Sequence, residues 1–70
     1  MDRISVESSA LASVGYDSGT SLFEVELRNG RIYQYFAVPE SVYDGLMSAS
    51  GKGAYFNQNI RNAYSYAQVG

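Results

Sequence analysis

The feature that most constrains the fold is an Asn-Gly pair between two segments of alternating polarity. Asn29 and Gly30 separate residues 22–28 from residues 31–36, and polar and apolar side chains alternate in both segments. Asn-Gly suits a two-residue type I′ turn, because both central positions of that turn need positive φ angles. The sequence therefore predicts an antiparallel hairpin closed by a two-residue loop.

This turn also predicts which side chains share a face, because residues directly opposite each other in a hairpin point the same way. In this register Arg28 lies opposite Arg31, and Phe23 lies opposite Phe36. One face then carries Phe23, Val25, Leu27, Ile32, Gln34 and Phe36. The other face carries Glu24, Glu26, Arg28, Arg31, Tyr33 and Tyr35. We expect the first face to lie in the core and the second face, with its two glutamates, to be solvated.

The rest of the chain adds one strand and two helices. A third strand is predicted over residues 10–16, because a two-stranded hairpin alone is marginal in water. Beyond Pro39 the apolar spacing becomes helical, and it predicts one helix from Pro39 to about Ala49 and a second over residues 53–64. The predicted fold is α+β with the order β-β-β-α-α, a small three-stranded antiparallel sheet with both C-terminal helices packed on one face. It forms a single domain over residues 1–70, with residues 65–70 as a tail and residues 1–8 either loose or paired weakly at the sheet edge through Ile4 and Val6.

The composition limits the chemistry of the chain. It contains no His and no Cys, which excludes Ser-His-Asp and Cys-His nucleophiles, the usual zinc and iron–sulfur ligand sets, and disulfides. We therefore expect no enzymatic activity, no cofactor and no metal. The net charge of −2 argues against a strongly basic nucleic-acid binder, although it leaves room for a local basic patch. With no secretory signal pattern and no long apolar run, we expect a cytoplasmic protein that does not contact membranes.

The first candidate binding group is Tyr33 and Tyr35 with Arg31, all on the predicted non-core face. Aromatic rings beside a cation on a sheet surface form a stacking platform for unpaired bases. The structural alternative is that the C-terminal tail covers both rings and that they add apolar area to a small core. The sequence leaves open whether Tyr33 and Tyr35 are exposed or buried.

The second candidate group lies at and after the break between the helices. Lys52, Asn57 and Arg61 could contact phosphates or base edges, or they could belong to a solvated helix face. Gly51-Lys52-Gly53 is not a Walker phosphate loop, because Lys52 is followed by Gly rather than Ser or Thr. A simple anion site at the start of the second helix stays possible beside the plainer interpretation of a flexible turn.

An ordered set of short motifs gives a family resemblance from about Ser8 onward. In chain order these are Val14-Gly15-Tyr16-Asp17, Asn29-Gly30, Tyr33-Gln34-Tyr35, Val38-Pro39, Lys52-Gly53, Tyr55-Phe56-Asn57 and Ile60-Arg61. Together they resemble the KTSC domain, which occurs at the C-terminus of some lysyl-tRNA synthetases and as single-domain bacterial and phage proteins. One departure is that Gly51 stands where the family usually has Ser before Lys-Gly. The resemblance implies no established activity; RNA binding has been suggested for the family from the synthetase context.

Two functions follow as hypotheses. The first is a non-enzymatic RNA-binding module for tRNA or single-stranded RNA, in which Arg31, Tyr33 and Tyr35 stack on bases while Lys52 and Arg61 contact phosphates. The second is a protein-interaction module, with the same tyrosines as interface anchors and the net acidity favouring a basic partner. A monomer or a weak homodimer is expected, because an unpaired sheet edge can support self-association.

Overall fold

A five-stranded antiparallel sheet forms the frame of the computed structural model, which describes residues 1–70. The strands lie side by side in chain order: β1 (Ile4–Ser5), β2 (Leu11–Asp17), β3 (Leu22–Leu27), β4 (Ile32–Tyr35) and β5 (Tyr66–Gln68). Two helices, α1 (Glu40–Ser48) and α2 (Lys52–Asn59), connect β4 to β5 and pack on one face of the sheet. Neither helix has the length and apolar content needed to cross a bilayer.

The α+β class and the two helices agree with the sequence prediction, but the predicted strand count of three was wrong. The additional strands are β1, which pairs with β2, and β5, which pairs with β4. β1 lies in the N-terminal segment, for which weak edge pairing was the alternative to a loose chain, and β5 lies in the predicted tail. They are two and three residues long, too short to show an alternation of polarity. They form by backbone hydrogen bonding along the open edges of the central hairpins.

The hairpin between β3 and β4 is closed by three residues, Arg28, Asn29 and Gly30, rather than two. The Leu27 N–H donates to the Arg31 carbonyl at 2.8 Å, and the Gly30 N–H donates to the Leu27 carbonyl at 2.9 Å. Gly30 has a φ of +91°, whereas Asn29 is not among the residues with positive φ. These features match a three-residue loop whose last residue forms a glycine bulge. The Asn29 side chain supports it by accepting the Arg31 N–H at 2.9 Å.

The extra loop residue moves the register by one and reverses the faces of β4. Phe23 lies opposite Tyr35 and Val25 lies opposite Tyr33, so both tyrosines point to the same side as the core residues of β3. The predicted placement of Ile32, Gln34 and Phe36 in the core was therefore wrong, since these side chains share the outer face with Glu24 and Glu26. The predicted core positions on β3 itself were right, because Phe23 and Val25 are fully buried.

The helices cover the inner face of the sheet with an aromatic core. Phe23 is fully buried, and its ring centroid lies 6.0 to 6.4 Å from those of Tyr35, Tyr43 and Phe56. Pro39 is the N-cap of α1 rather than its first residue, and Glu40 occupies the first turn. The second helix ends at Asn59, five residues earlier than predicted, because Ile60 leaves helical geometry (φ −122°, ψ −48°). The shorter α2 leaves part of the inner sheet face uncovered.

The outer face holds a network of polar groups instead of the fully solvated carboxylates that the sequence predicts. Glu24 is only 6% exposed and forms an ion pair with Arg3. Gln34 donates to the same carboxylate at 2.9 Å. Arg3 also donates to the Ser13 hydroxyl at 2.9 Å. The N-terminal segment can lie this close because Gly15 has no Cβ, which would overlap the Asp2 carbonyl oxygen.

We expect this network to make the stability depend on pH. Burial works to raise the pKa of Glu24, but hydrogen bonds from Gln34 and Arg3 and the charge of Arg3 outweigh it and hold the pKa below its ordinary value of 4.5. A lowered folded-state pKa gives stability that is present above the unfolded-state pKa and is lost as pH falls through the folded value. Urea unfolding should therefore show Glu24→Gln less stable than the parent near pH 7, with a difference that shrinks toward about pH 3. Glu7→Gln, at an exposed position, is the matched control, and an unchanged Glu24→Gln deficit at both pH values would contradict the assignment.

Candidate functional site

A cleft of about 500 Å³ opens on the helix side of the sheet, where α2 stops short. Its volume falls within the range of pockets that hold small organic ligands. The strands β2 to β5, the β3–β4 loop and the end of α2 contribute the walls. The lining residues are Ala10, Leu11, Leu27, Arg28, Asn29, Tyr33, Tyr35, Phe56, Asn57, Arg61, Asn62 and Tyr66.

Three tyrosines from β4 and β5 form the aromatic wall of the cleft. Tyr33 and Tyr35 alternate on one side of β4, and Tyr66 lies opposite Tyr35 in the register of β5. The ring centroid of Tyr66 is 5.9 Å from that of Tyr33 in an edge-on arrangement and 5.4 Å from that of Tyr35. The rings differ in exposure: Tyr35 is 3% exposed, Tyr33 is partly buried, and Tyr66 is 58% exposed. Tyr33 and Tyr66 therefore offer ring surface to a ligand, while Tyr35 supports them from the core.

The charged side chains in the lining are both arginines. Arg28 is held from the N-terminal segment, because its guanidinium donates to the Ser8 carbonyl at 3.0 Å and to the Val6 carbonyl at 3.1 Å. Arg61 lies one turn after Asn57 and donates to its amide oxygen at 3.4 Å. No Asp or Glu lines the cleft, although the whole chain has seven carboxylate residues and a net charge of −2. The cleft is thus a positive region on an acidic protein.

The phenol of Tyr35 stays neutral across the physiological range. Burial raises the pKa of Tyr35, and the neighbouring phenols of Tyr66 and Tyr33 act in the same direction, while the positive charge of Arg61 acts against them. Tyr35 therefore adds no negative charge to the wall of the cleft, and the positive charge of the lining comes from Arg28 and Arg61. No three carboxylate side chains converge anywhere in the molecule in a way that could hold a metal ion.

Four of the six predicted site residues come together in this cleft: Tyr33, Tyr35, Asn57 and Arg61. They lie on the helix side of the sheet, whereas the sequence predicts the tyrosines on the opposite face. The other two, Arg31 and Lys52, lie outside the lining. Arg31 is exposed at the hairpin end, and the Lys52 ammonium donates to the Ala49 carbonyl at 2.8 Å at the C-terminus of α1.

Eight lining residues lie outside the predicted site, and the polar and tyrosine residues among them are Arg28, Asn29, Asn62 and Tyr66. Tyr66 belongs to the predicted tail, for which the sequence suggests a cover over Tyr33 and Tyr35 but not a strand paired with β4. The two-residue loop predicts Arg28 on the non-core face of the sheet, away from the cleft that it lines in the structure. A three-residue loop also fits Asn-Gly, and a prediction based on that loop places Tyr33 and Tyr35 on the helix side of the sheet.

These features define a small α+β domain with an aromatic and basic cleft on its helical face. The chain matches the KTSC domain family over residues 7–64 and belongs to that family. It is 35% identical to a KTSC domain protein from Yersinia pestis whose crystal structure superposes with a TM-score of 0.95, covering 99% of this chain and 97% of that one.

Similar sequences occur both in a protein of about the same length and within a much longer one. An uncharacterized protein of Stutzerimonas stutzeri is 43% identical over 70 residues and is covered to 99% in both chains. A lysine–tRNA ligase of Nostoc punctiforme is 33% identical over 63 residues, which make up 90% of this chain and 11% of the ligase. The chain therefore spans about a tenth of the ligase's length. The KTSC domain, whose function is unknown, occurs in small proteins and as a part of lysine–tRNA ligases.

Proposed function

We propose that this chain is a non-enzymatic module that binds single-stranded RNA in the cleft between α2 and the sheet. The observation that carries the proposal is the composition of the lining, which combines the exposed ring of Tyr66 and the partly exposed ring of Tyr33 with two arginines and no carboxylate. Unpaired bases stack on aromatic rings, and guanidinium groups bind phosphate. The two kinds of group lie within one concavity, so that neighbouring parts of one nucleotide strand can reach both.

The aromatic part of the site supports base stacking. Tyr66 is 58% exposed and meets Tyr33 edge-on at a centroid distance of 5.9 Å, so the two rings present differently oriented surfaces. Stacking of a base on such a ring contributes about 1–3 kcal/mol and tolerates any sequence. Both rings are held by neighbouring strands of one sheet, and little ordering of the protein is needed when a base binds.

The charged part of the site supports a polyanion in spite of the acidic composition. Arg28 is fixed by two backbone carbonyls, so its guanidinium is already oriented before a phosphate arrives. Because no carboxylate lines the cleft, no negative charge within the lining neutralises Arg28 and Arg61. Because only two cations lie there, we expect modest affinity and a shallow dependence on salt.

The longer relatives of this chain support an RNA ligand. The region shared with this chain forms 11% of a lysine–tRNA ligase from Nostoc punctiforme, and an enzyme of that name acts on tRNA. An appended domain that binds single-stranded RNA would add contacts to such a substrate. In the small proteins of the family the same cleft would act without an attached enzyme.

The test is a fluorescence-anisotropy titration of the chain with labelled single-stranded RNA and with a tRNA. Two arginine–phosphate contacts predict that log affinity falls with a slope of about −1.4 against log salt. That slope corresponds to roughly sevenfold weaker binding when salt rises from about 50 to about 200 mM. Arg61→Gln should weaken binding and reduce the slope by about half, because it removes one of the two contacts.

Arg31→Gln is the matched control, since it makes the same charge change at an exposed residue outside the lining. It should leave the slope nearly unchanged. Equal losses for Arg31→Gln and Arg61→Gln would mean that the overall charge, rather than the cleft, attracts the RNA. No binding of either RNA at low salt would rule out the proposal and favour a protein partner for this surface.

A further inference from the structure

We infer that the cleft selects keto-bearing bases, uracil and guanine, over cytosine and adenine, a preference that rests on the proposed RNA-binding function. Stacking on Tyr33 and Tyr66 does not distinguish bases by their edges. Any selection must therefore come from the polar groups around the rings. Those groups have hydrogen-bond donors in large excess over acceptors.

Two of the three asparagines of the lining already use one lone pair of the amide oxygen within the protein. The amide oxygen of Asn29 accepts the Arg31 N–H at 2.9 Å. The amide oxygen of Asn57 accepts from the Arg61 guanidinium at 3.4 Å. The amide nitrogens of both residues donate no hydrogen bond inside the protein, so each has two N–H groups left for a ligand.

The remaining polar groups increase the excess of donors. Arg28 and Arg61 can only donate, and no carboxylate lines the cleft to accept. Asn62 makes no side-chain hydrogen bond within the protein, so its amide oxygen keeps both lone pairs. Tyrosine hydroxyls can either donate or accept a hydrogen bond. A ligand that satisfies this cleft must present acceptors.

The four bases differ in what they present at the position that such donors would contact. Uracil O4 and guanine O6 are acceptors, whereas the amino groups of cytosine N4 and adenine N6 are donors. An asparagine recognises adenine by using its oxygen and its nitrogen together, and the oxygen of Asn57 already accepts one hydrogen bond from Arg61, which leaves it one lone pair. An amino group brought into the cleft meets few acceptors, the Asn62 oxygen and the tyrosine hydroxyls among them, whereas a keto oxygen meets many donors. Loss of hydrogen bonds to water is therefore compensated less well for an amino group than for a keto oxygen.

The experiment compares labelled eight-residue oligouridine and oligocytidine RNAs by anisotropy at about pH 7.5, where only the group at C4 and its N3 partner differ between the bases. Oligouridine is expected to bind about tenfold more tightly, as one correctly formed base contact provides. Equal binding of the two RNAs would overturn the keto preference while leaving the RNA-binding proposal standing. Binding of neither would overturn both.

A pair of variants tests whether the amide donors cause the preference. Asn57→Asp replaces donors with acceptors in the cleft, and it should reduce the ratio of oligouridine to oligocytidine affinity several-fold. Gln58→Glu adds the same charge at an exposed neighbour outside the lining, and it should weaken both RNAs alike while preserving the ratio. The inference is wrong if the two variants change the ratio equally.

Discussion

Replacing Tyr35 by alanine is expected to lower the free energy of unfolding by about 3–5 kcal/mol, as other large aromatic-to-alanine changes in cores do. Tyr35 is 3% exposed, and its ring packs edge-on against Phe56 at a centroid distance of 5.6 Å and obliquely against Phe23 at 6.2 Å. A 70-residue domain has a total stability of only about 4–10 kcal/mol. The variant should therefore be largely unfolded in moderate urea, as measured by circular dichroism.

The conservative change Tyr35→Phe separates the ring from its hydroxyl. That hydroxyl makes no side-chain hydrogen bond within the protein, so Tyr35→Phe should stay within about 1 kcal/mol of the parent. Tyr33→Ala, at a partly buried position, should lose clearly less stability than Tyr35→Ala. A Tyr35→Ala protein as stable as the parent would mean that the ring faces solvent, as the two-residue loop predicts.

The hairpin illustrates how far local sequence determines this fold. The alternation in residues 22–28 correctly places Phe23 and Val25 in the core, because a strand buried on one face needs that pattern. The Asn-Gly pair correctly locates the turn. It does not choose the loop length, since Gly30 supplies positive φ in either loop and Asn29 supports the longer one through its side chain. One residue of difference in the loop then reverses every side chain of β4.

The edge strands and the outer-face network depend on contacts distant in sequence. Arg3 meets Glu24 across 21 positions, and Tyr33 meets Gln68 across the β4–β5 ladder. Such pairs have no local periodicity to reveal them. The local sequence predicts that Glu24 faces solvent. In the structure the N-terminal segment covers Glu24, and this close approach is possible because Gly15 has no Cβ.

The candidate site was predictable in its residue types and not in its position. Tyrosines on β4 and the polar residues Asn57 and Arg61 on or just after α2 were identified from the sequence, yet on opposite sides of the predicted sheet. The corrected register brings them to one cleft, because α2 and the β4 tyrosines then share the inner face. The early end of α2 at Asn59 opens the space between them.

The cleft assignment makes its sharpest prediction for the double variant Tyr33→Ala/Tyr66→Ala. The two rings touch each other edge-on and form one stacking surface, so their removal should eliminate the stacking of at least one base. The expected loss is about 1–3 kcal/mol, which is roughly 5- to 150-fold in RNA affinity. Tyr35 is retained in this variant, so the core stays intact, and circular dichroism should show a folded protein.

Phe36→Ala provides the control for the opposite face. Phe36 is 42% exposed and continues the pairing with the β5 segment, because its N–H donates to the Ser65 carbonyl at 2.9 Å. Its side chain therefore alternates with that of Tyr35 onto the outer side of the sheet, where the two-residue loop predicts the tyrosine platform. The Phe36→Ala variant should bind RNA with the same affinity as the parent protein. If Phe36→Ala loses affinity while the folded Tyr33→Ala/Tyr66→Ala variant retains it, RNA binds the outer face and the cleft assignment is wrong. The reverse result would assign binding to the inner face, where the sheet register brings the tyrosines beside Arg61.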